Sequence, residues 1–177
     1  MDTVIETERC SIVRLEDDDA PVFQMVYGDE EAVRWVDDGQ PITLDESIRW
    51  IEVTRNNYNK RGYGMFKIVD RRTGAVIGCC GIVHPSNQTA AEVKYCFVRE
   101  SWGKGFATEV VLGLIAYGKQ VHGIDNFVAT VAAENLASQR VLEKCGFLTG
   151  REIYNDEGVT LVFYVGSSDI QDEIITD

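Results

Sequence analysis

The chain has 177 residues, 45% of them hydrophobic, and its 29 acids against 17 Lys and Arg give a formal charge of -12. One well-buried domain fits that length and two comfortable domains do not. A nucleic-acid partner, which needs a basic face, is disfavoured, and a cationic partner such as an amine is favoured unless the acidity serves only solubility.

No stretch approaches the ~18 consecutive apolar residues of a membrane helix. Residues 1–9 carry acids where a signal peptide has a basic start and an apolar middle, so a cytoplasmic location without membrane contact is expected. Cys10, Cys79, Cys80, Cys96 and Cys145 are an odd number without paired metal-type spacing, and they read as reduced core thiols. His84 and His122 are the only histidines, so no metal site is expected, and His122 reads as a helix C-terminal cap.

Residues 9–15 alternate as an entry strand. Asp17 to Pro21 then opens a short helix through Phe23, Met25, Val26 and Tyr27, its acids suiting a helix N-terminus, and a second short helical piece covers 30–36. Thr43-Leu-Asp-Glu46 is a capping-box pattern that predicts a helix over 44–59, with Ile48, Ile51 and Tyr58 inward and Gly62 and Gly64 beyond its end. Residues 65–69 and 75–83 form a hairpin with Gly74 at its turn, and a third antiparallel strand follows over 91–98.

That strand leads into Arg99-Glu-Ser-Trp-Gly-Lys-Gly-Phe-Ala-Thr-Glu109, where the β pattern breaks at glycines and a helix begins near Gly105, with Val110, Val111, Leu114 and Ile115 as its apolar stripe. Glycines let a backbone approach a ligand closely, and the helix N-terminus aims N–H groups and a positive dipole end at the same spot, so an anion is expected there. The loop is not a P-loop, because Gly103-Lys104 is followed by Gly105 rather than Ser or Thr. It is not a dinucleotide fingerprint either, because Thr108 stands where the third glycine belongs. A strand over 126–131, a helix over 135–144 stopped by Gly146, and a hairpin of 147–154 with 159–163 complete the order. Residues 167–177 form an acidic tail expected to be frayed or loosely docked after a domain spanning 7–166.

This order, with Trp102-Gly-Lys-Gly-Phe-Ala-Thr-Glu109 and Asn135-Leu-Ala-Ser-Gln-Arg-Val-Leu-Glu-Lys-Cys-Gly-Phe147, resembles the GNAT superfamily of acetyl-CoA-dependent N-acetyltransferases. Within it, the chain is similar to the branch that acetylates ribosomal-protein N-termini at alanine or serine; Thr7-Glu-Arg9 and Ala91-Glu-Val-Lys-Tyr95 fit that branch more loosely. The resemblance implies an α+β fold, a twisted and mostly antiparallel sheet with helices on both faces, splayed open between the strand ending at Val98 and the one starting at Asn126. The pantetheine arm of acetyl-CoA would lie in that gap.

By the same resemblance, Tyr95, Phe97 and Val98 offer backbone contacts to pantetheine and the thioester oxygen. Gly103, Lys104, Gly105, Phe106, Ala107 and Thr108 hold the pyrophosphate, and Asn135, Ser138 and Arg140 complete the cofactor site. Asn135 fits a helix N-cap equally well. The reaction implied is direct attack of a primary amine on the thioester through a tetrahedral intermediate, with a protein N-terminus or a small cationic amine such as a polyamine as acceptor, by a monomer or homodimer and without a metal. Glu92 is the implied base, and Ser138 the group serving the leaving sulfur, because Leu142 stands where the family often has tyrosine. Lys94, where the family usually has glycine, shares the face of Glu92. Trp35, Asp38, Trp50 and Asp156, with Asp37 and Glu157 beside them, are the acceptor-side candidates, aromatics beside acids suiting a cation. The alternative is a catalytically silent acyl-CoA-binding sensor or interaction module.

Overall fold

β-branched and aromatic runs become eight strands: β1 Thr3–Glu6, β2 Cys10–Arg14, β3 Met65–Asp70, β4 Val76–Val83, β5 Ala91–Phe97, β6 Phe127–Ala132, β7 Leu148–Asn155 and β8 Gly158–Val165. The computed structural model describes residues 2–36, 38–156 and 158–174, and in it these strands form one sheet in the order β1-β2-β3-β4-β5-β6-β8-β7. Every neighbouring pair is antiparallel except β5 with β6.

Alternation in β5 sends Ala91, Val93 and Phe97 to one face and Cys96 to the other, and both faces are covered, which is why the strand reads as apolar on both sides. On the first face lie α4 (Phe106–His122), through Val110, Val111, Leu114 and Ile115, and α5 (Leu136–Lys144), through Leu142. On the second lie α1 (Ala20–Tyr27), α2 (Glu30–Val33) and α3 (Leu44–Arg61), contributing Phe23, Val26, Val33 and Ile51 to a cluster with Met65, Cys79 and Cys96.

The predicted capping box forms: the Thr43 hydroxyl accepts the Glu46 N–H, and the Glu46 carboxylate accepts the Thr43 N–H at 2.7 Å. The inward stripe of α3 differs from the expected one. Ser47, Ile51 and Thr54 are buried, whereas Ile48 is 44% exposed. A helix face of period 3.6 passes through 47, 51, 54 and 58, and Ile48 stands about 100° off it. The apolar residue therefore points to solvent, and two small polar residues face inward.

Two further expectations change. Residues 168–173 form a 3₁₀ helix rather than a loose tail, because Ile170 and Ile174 bury themselves in a cluster with Ala90, Val128 and Val162, while Gln171 accepts the Arg151 N–H at 2.6 Å. His122 is not a cap: its ring stands edge-on between Tyr63 and Tyr117 with centroids 4.8 Å away on each side, and its Nε2 is buried without a hydrogen-bond partner.

Burial lowers the pKa of His122, helped by Arg14. Burial also lowers that of His84, although its Nδ1 lies 3.0 Å from the Gln88 carbonyl and its Nε2 2.9 Å from the Tyr63 hydroxyl. A histidine that resists protonation when folded binds its proton more readily when unfolded, so stability is fully present above the unfolded value of ~6.5 and declines as pH falls toward the depressed folded value. Thermal unfolding should therefore show Tm falling between pH 7.5 and 5, with a shallower fall in His122→Phe. An unchanged slope in that variant would place the titration elsewhere.

Candidate active site

The site begins where the sheet stops being a sheet. β5 and β6 pair in register at Ala91 with Phe127 and at Glu92 with Val128, and among the described residues the pairing ends there. Beyond it the strands part around a cleft of about 240 Å³. Val93, Tyr95, Ala129, Val131, Asn135, Ser138 and Leu142 line it from β5, β6 and α5, and Tyr27, Trp35, Lys94, Thr130, Asn155 and Thr160 line its other side. Backbone groups on the parted edges have lost their ladder partners and are disposed toward a ligand's amides.

Not every backbone group expected to face this gap does so. Val98 donates its N–H to the Ile77 carbonyl at 3.0 Å and accepts the Ser101 N–H at 2.9 Å, so it is turned toward β4. Strand alternation then turns Tyr95 and Phe97 toward the gap. The Phe97 carbonyl accepts the Trp102 indole N–H at 2.8 Å, which anchors the start of the glycine loop.

In that loop Gly103 and Gly105 have φ of 70° and 79°, the left-handed region that a residue with a Cβ avoids. Gly105 is the N-cap of α4 and has no side chain to cap the following N–H groups, which leaves them for an anion. A residue 95 positions earlier fixes the loop: Arg9 donates through Nη1 to the Lys104 carbonyl at 2.8 Å, pairs with Glu109 at 2.6 Å and lies over the Phe106 ring. Glu109 also accepts from the Thr7 hydroxyl and the Arg9 N–H. Burial raises its pKa, but these bonds outweigh burial and the net direction is down. Arg9 and Glu109 each close a motif of the resemblance, Thr7-Glu-Arg9 and Trp102 to Glu109, but neither motif by itself marks the two as partners at the site.

α5 forms the facing wall. Asn135 caps it by accepting the Ser138 N–H at 3.1 Å, and the Ser138 hydroxyl lies 2.7 Å from that of Tyr95. Burial pushes the Tyr95 phenol up to about 12 against the opposing bond from Ser138. Arg140 is exposed on the same helix and Leu142 is fully buried.

Glu92 is 2% exposed and lies behind the cleft lining. It accepts from Thr130 Oγ1 at 2.5 Å and Gln88 Nε2 at 3.3 Å, and Lys94 Nζ stands 3.4 Å away. A buried carboxylate needs such partners, and two of them, Thr130 and Lys94, themselves reach the cleft. Of the acceptor-side candidates, Trp35 lines the cleft. Trp50, 45% exposed, sits in a separate depression with Glu46, Arg49 and Val53. Asp38 is exposed and accepts the Gln40 N–H, and Asp156 is exposed at the β7–β8 turn beside Asn155, which does line the cleft. Asp37 and Glu157 lie outside the described residues.

Comparison with known proteins places this fold in a family. The family model described as an acetyltransferase (GNAT) domain matches residues 9–148. The chain belongs to the GNAT acetyltransferase family. The uncharacterised protein YkkB of Bacillus subtilis is 32% identical over 150 residues, 81% of this chain and 84% of that protein. An acetyltransferase from Agrobacterium tumefaciens shares the fold at TM-score 0.79 and 22% identity, covering 94% of this chain and 95% of its own. RimL, a ribosomal L7/L12 alpha-N-protein acetyltransferase solved with coenzyme A, does so at TM-score 0.79 and 15% identity, covering 94% and 99%.

As a GNAT enzyme the protein uses acetyl-CoA. Its residues fit that group: the open N–H groups after Gly105 suit a pyrophosphate, and the parted edges of β5 and β6 suit the amides of pantetheine. No group of three or more His, Cys, Asp and Glu among the described residues is placed to hold a metal ion, and no helix among them is long and apolar enough to cross a membrane.

Replacing Gly105 by valine forces a β-branched residue into φ of 79° at this cradle. CoA affinity measured by calorimetry should fall at least about tenfold, ~1.4 kcal/mol, with the circular dichroism spectrum retained. Wild-type affinity in a folded Gly105→Val protein would move the pyrophosphate site elsewhere.

Proposed function

We propose that the protein transfers the acetyl group of acetyl-CoA to a primary amine, on a protein N-terminus or a small cationic molecule, by direct attack in the cleft between β5 and β6. The observation that carries this reading is the placement of Thr130 and Lys94, both bonded to Glu92, on one side of the cleft and of Ser138 on the other. An amine entering past Trp35 and the β7–β8 hairpin meets the Glu92 group, while the cradle at residues 103–108 fixes the donor. RimL, whose fold this chain shares, acts on a ribosomal-protein N-terminus, which supports an exposed chain end as one acceptor. The overall charge of -12 supports a cationic acceptor through long-range steering. Five free, buried cysteines support a reducing, cytoplasmic setting.

Acetyl-CoA supplies an activated acyl group whose leaving atom is sulfur. The chain's own residues handle the protons. A neutral amine is the nucleophile, and Lys94, the only charged residue among the described lining, disfavours a second cation beside it. Glu92 takes the proton released on attack, through the Thr130 hydroxyl or a water, because its carboxylate has no open path of its own to the cleft. Ser138 offers its hydroxyl to the leaving sulfur.

One observation favours a second reading. The Glu92 carboxylate is already held by three partners, as in a structural buried acid, and an acyl-CoA-binding module without turnover needs nothing more. Release of CoA thiol with a panel of N-terminal peptides and polyamines separates the two. Transfer requires amine-dependent thiol, and the binding module gives none with any acceptor.

With an active acceptor found, Glu92→Gln should lower kcat/KM by ~10²–10⁴-fold at neutral pH, with partial recovery as rising pH lets solvent hydroxide take the proton released on attack. A wild-type rate and pH profile in that variant would exclude Glu92 as the base.

A further inference from the structure

Tyr95 and Ser138 lie 43 positions apart, on β5 and in the first turn of α5, yet both line the cleft with their hydroxyl oxygens 2.7 Å from each other. The Tyr95 hydroxyl has a second acceptor in reach, the Ser138 carbonyl, at 3.4 Å. That distance makes a weak bond, so the phenol hydrogen is better placed on Ser138 Oγ. A helical serine commonly turns its own hydrogen back to a carbonyl of the preceding turn. Accepting from Tyr95 occupies one lone pair of Oγ and fixes where the remaining hydrogen can point.

We propose that Tyr95 is a positioning residue for acetyl transfer: its hydroxyl donates to Ser138 and aims the serine hydrogen across the cleft at the thioester sulfur. This rests on the reading of Ser138 as the group that faces the leaving sulfur. As the C–N bond forms and the C–S bond breaks, the electron pair of C–S goes to sulfur, and the amine proton leaves on the Glu92 side. Neither hydroxyl gives up its proton. Burial holds the phenol at about 12, and an alcohol is weaker still, whereas a thiol titrates near ~8.5. The sulfur therefore departs as a hydrogen-bonded thiolate and takes its proton from solvent after release. The two hydroxyls act as one chain of donors, in which the outer bond polarises the inner one.

The pKa of the CoA thiol when bound, followed by thiolate absorbance, reads this directly and independently of turnover. Lys94 and Tyr27 line the cleft, Glu92 stands behind Lys94, and Cys145 influences Tyr95. All four stay in place in the variants, so differences report the hydroxyls. Tyr95→Phe keeps the ring and removes one oxygen. It should raise the bound thiol's pKa by roughly 0.5–1, lower kcat about three- to tenfold and leave KM for acetyl-CoA within about twofold. Ser138→Ala should raise that pKa further, and the double variant should be no worse than Ser138→Ala alone. Ser138→Thr retains a hydroxyl for Tyr95 to hold and should keep the wild-type thiol pKa.

If Ser138→Ala shifts the thiol while Tyr95→Phe leaves kcat and thiol pKa at wild type, the positioning role is overturned and the Ser138 reading stands. Multiplicative effects in the double variant also overturn it, because they put Tyr95 on a separate path. If Ser138→Ala changes CoA affinity alone, the Ser138 reading fails and the role of Tyr95 fails with it. Melting temperatures with CoA verify that each variant is folded, and Ser138→Thr behaving like Ser138→Ala would refute the proposal without recourse to Tyr95→Phe.

Discussion

Everything at the site depends on one interruption: two adjacent strands of a continuous sheet hold together over two residues and then separate. A gap inside a sheet is costly, because backbone N–H and C=O groups are stripped of partners in a region where water reaches poorly. The fold tolerates it by securing each strand from its outer side. β5 is paired to β4 from Gly78–Phe97 to Val83–Glu92, and β6 to β8 from Phe127–Val165 to Ala132–Thr160. The closed end is fixed as well, since Ile170 and Ile174 fold back over Ala90, Val128 and Val162. The C-terminal segment thus helps to hold shut the end of the gap that must not open.

Charge follows the same logic of local compensation inside an acidic molecule. Glu109 in the first turn of α4 suits the helix dipole but stands near the uncapped N–H groups proposed to take an anion, and Arg9 offsets it while holding the Lys104 carbonyl. Glu92, among the most buried acids of the chain, is matched by Lys94, Thr130 and Gln88. Lys67 and Asp19, both largely buried, pair at 2.6 Å on the second face of the sheet. The net charge of -12 therefore describes the surface, while the cleft itself carries Lys94. A cationic acceptor drawn in by the surface and held as a neutral amine inside is consistent with both.

Local chemistry made much of this legible from the sequence. The capping box at Thr43, the glycines that end α3 and α5, the hairpin at Gly74 and the stripe of α4 are decided by neighbours within about four residues, and each forms as expected. What the sequence left hidden is set by distant contacts. β1 is four residues long and exists through its pairing with β2; Ser47 and Thr54, not Ile48, face inward because the helix axis is set by what it packs on. The C-terminal segment reads as an acidic tail until two isoleucines four apart find an apolar surface. Arg9 with Glu109, and Tyr95 with Ser138, are pairs whose partners lie 100 and 43 positions apart, and although each residue stands in a local motif, nothing local says that the two meet.

Acetyl-CoA is proposed to lie along the parted edges of β5 and β6 with its phosphates on the uncapped turn of α4. Amide hydrogen exchange with and without acetyl-CoA tests this most directly, since a bound ligand protects the amides it engages. The expected result is slowed exchange at Phe106, Ala107 and Thr108 and at Tyr95 and Phe97, with little change in β1, β2 and α3. Protection confined to other segments, or none at saturating acetyl-CoA, would contradict it.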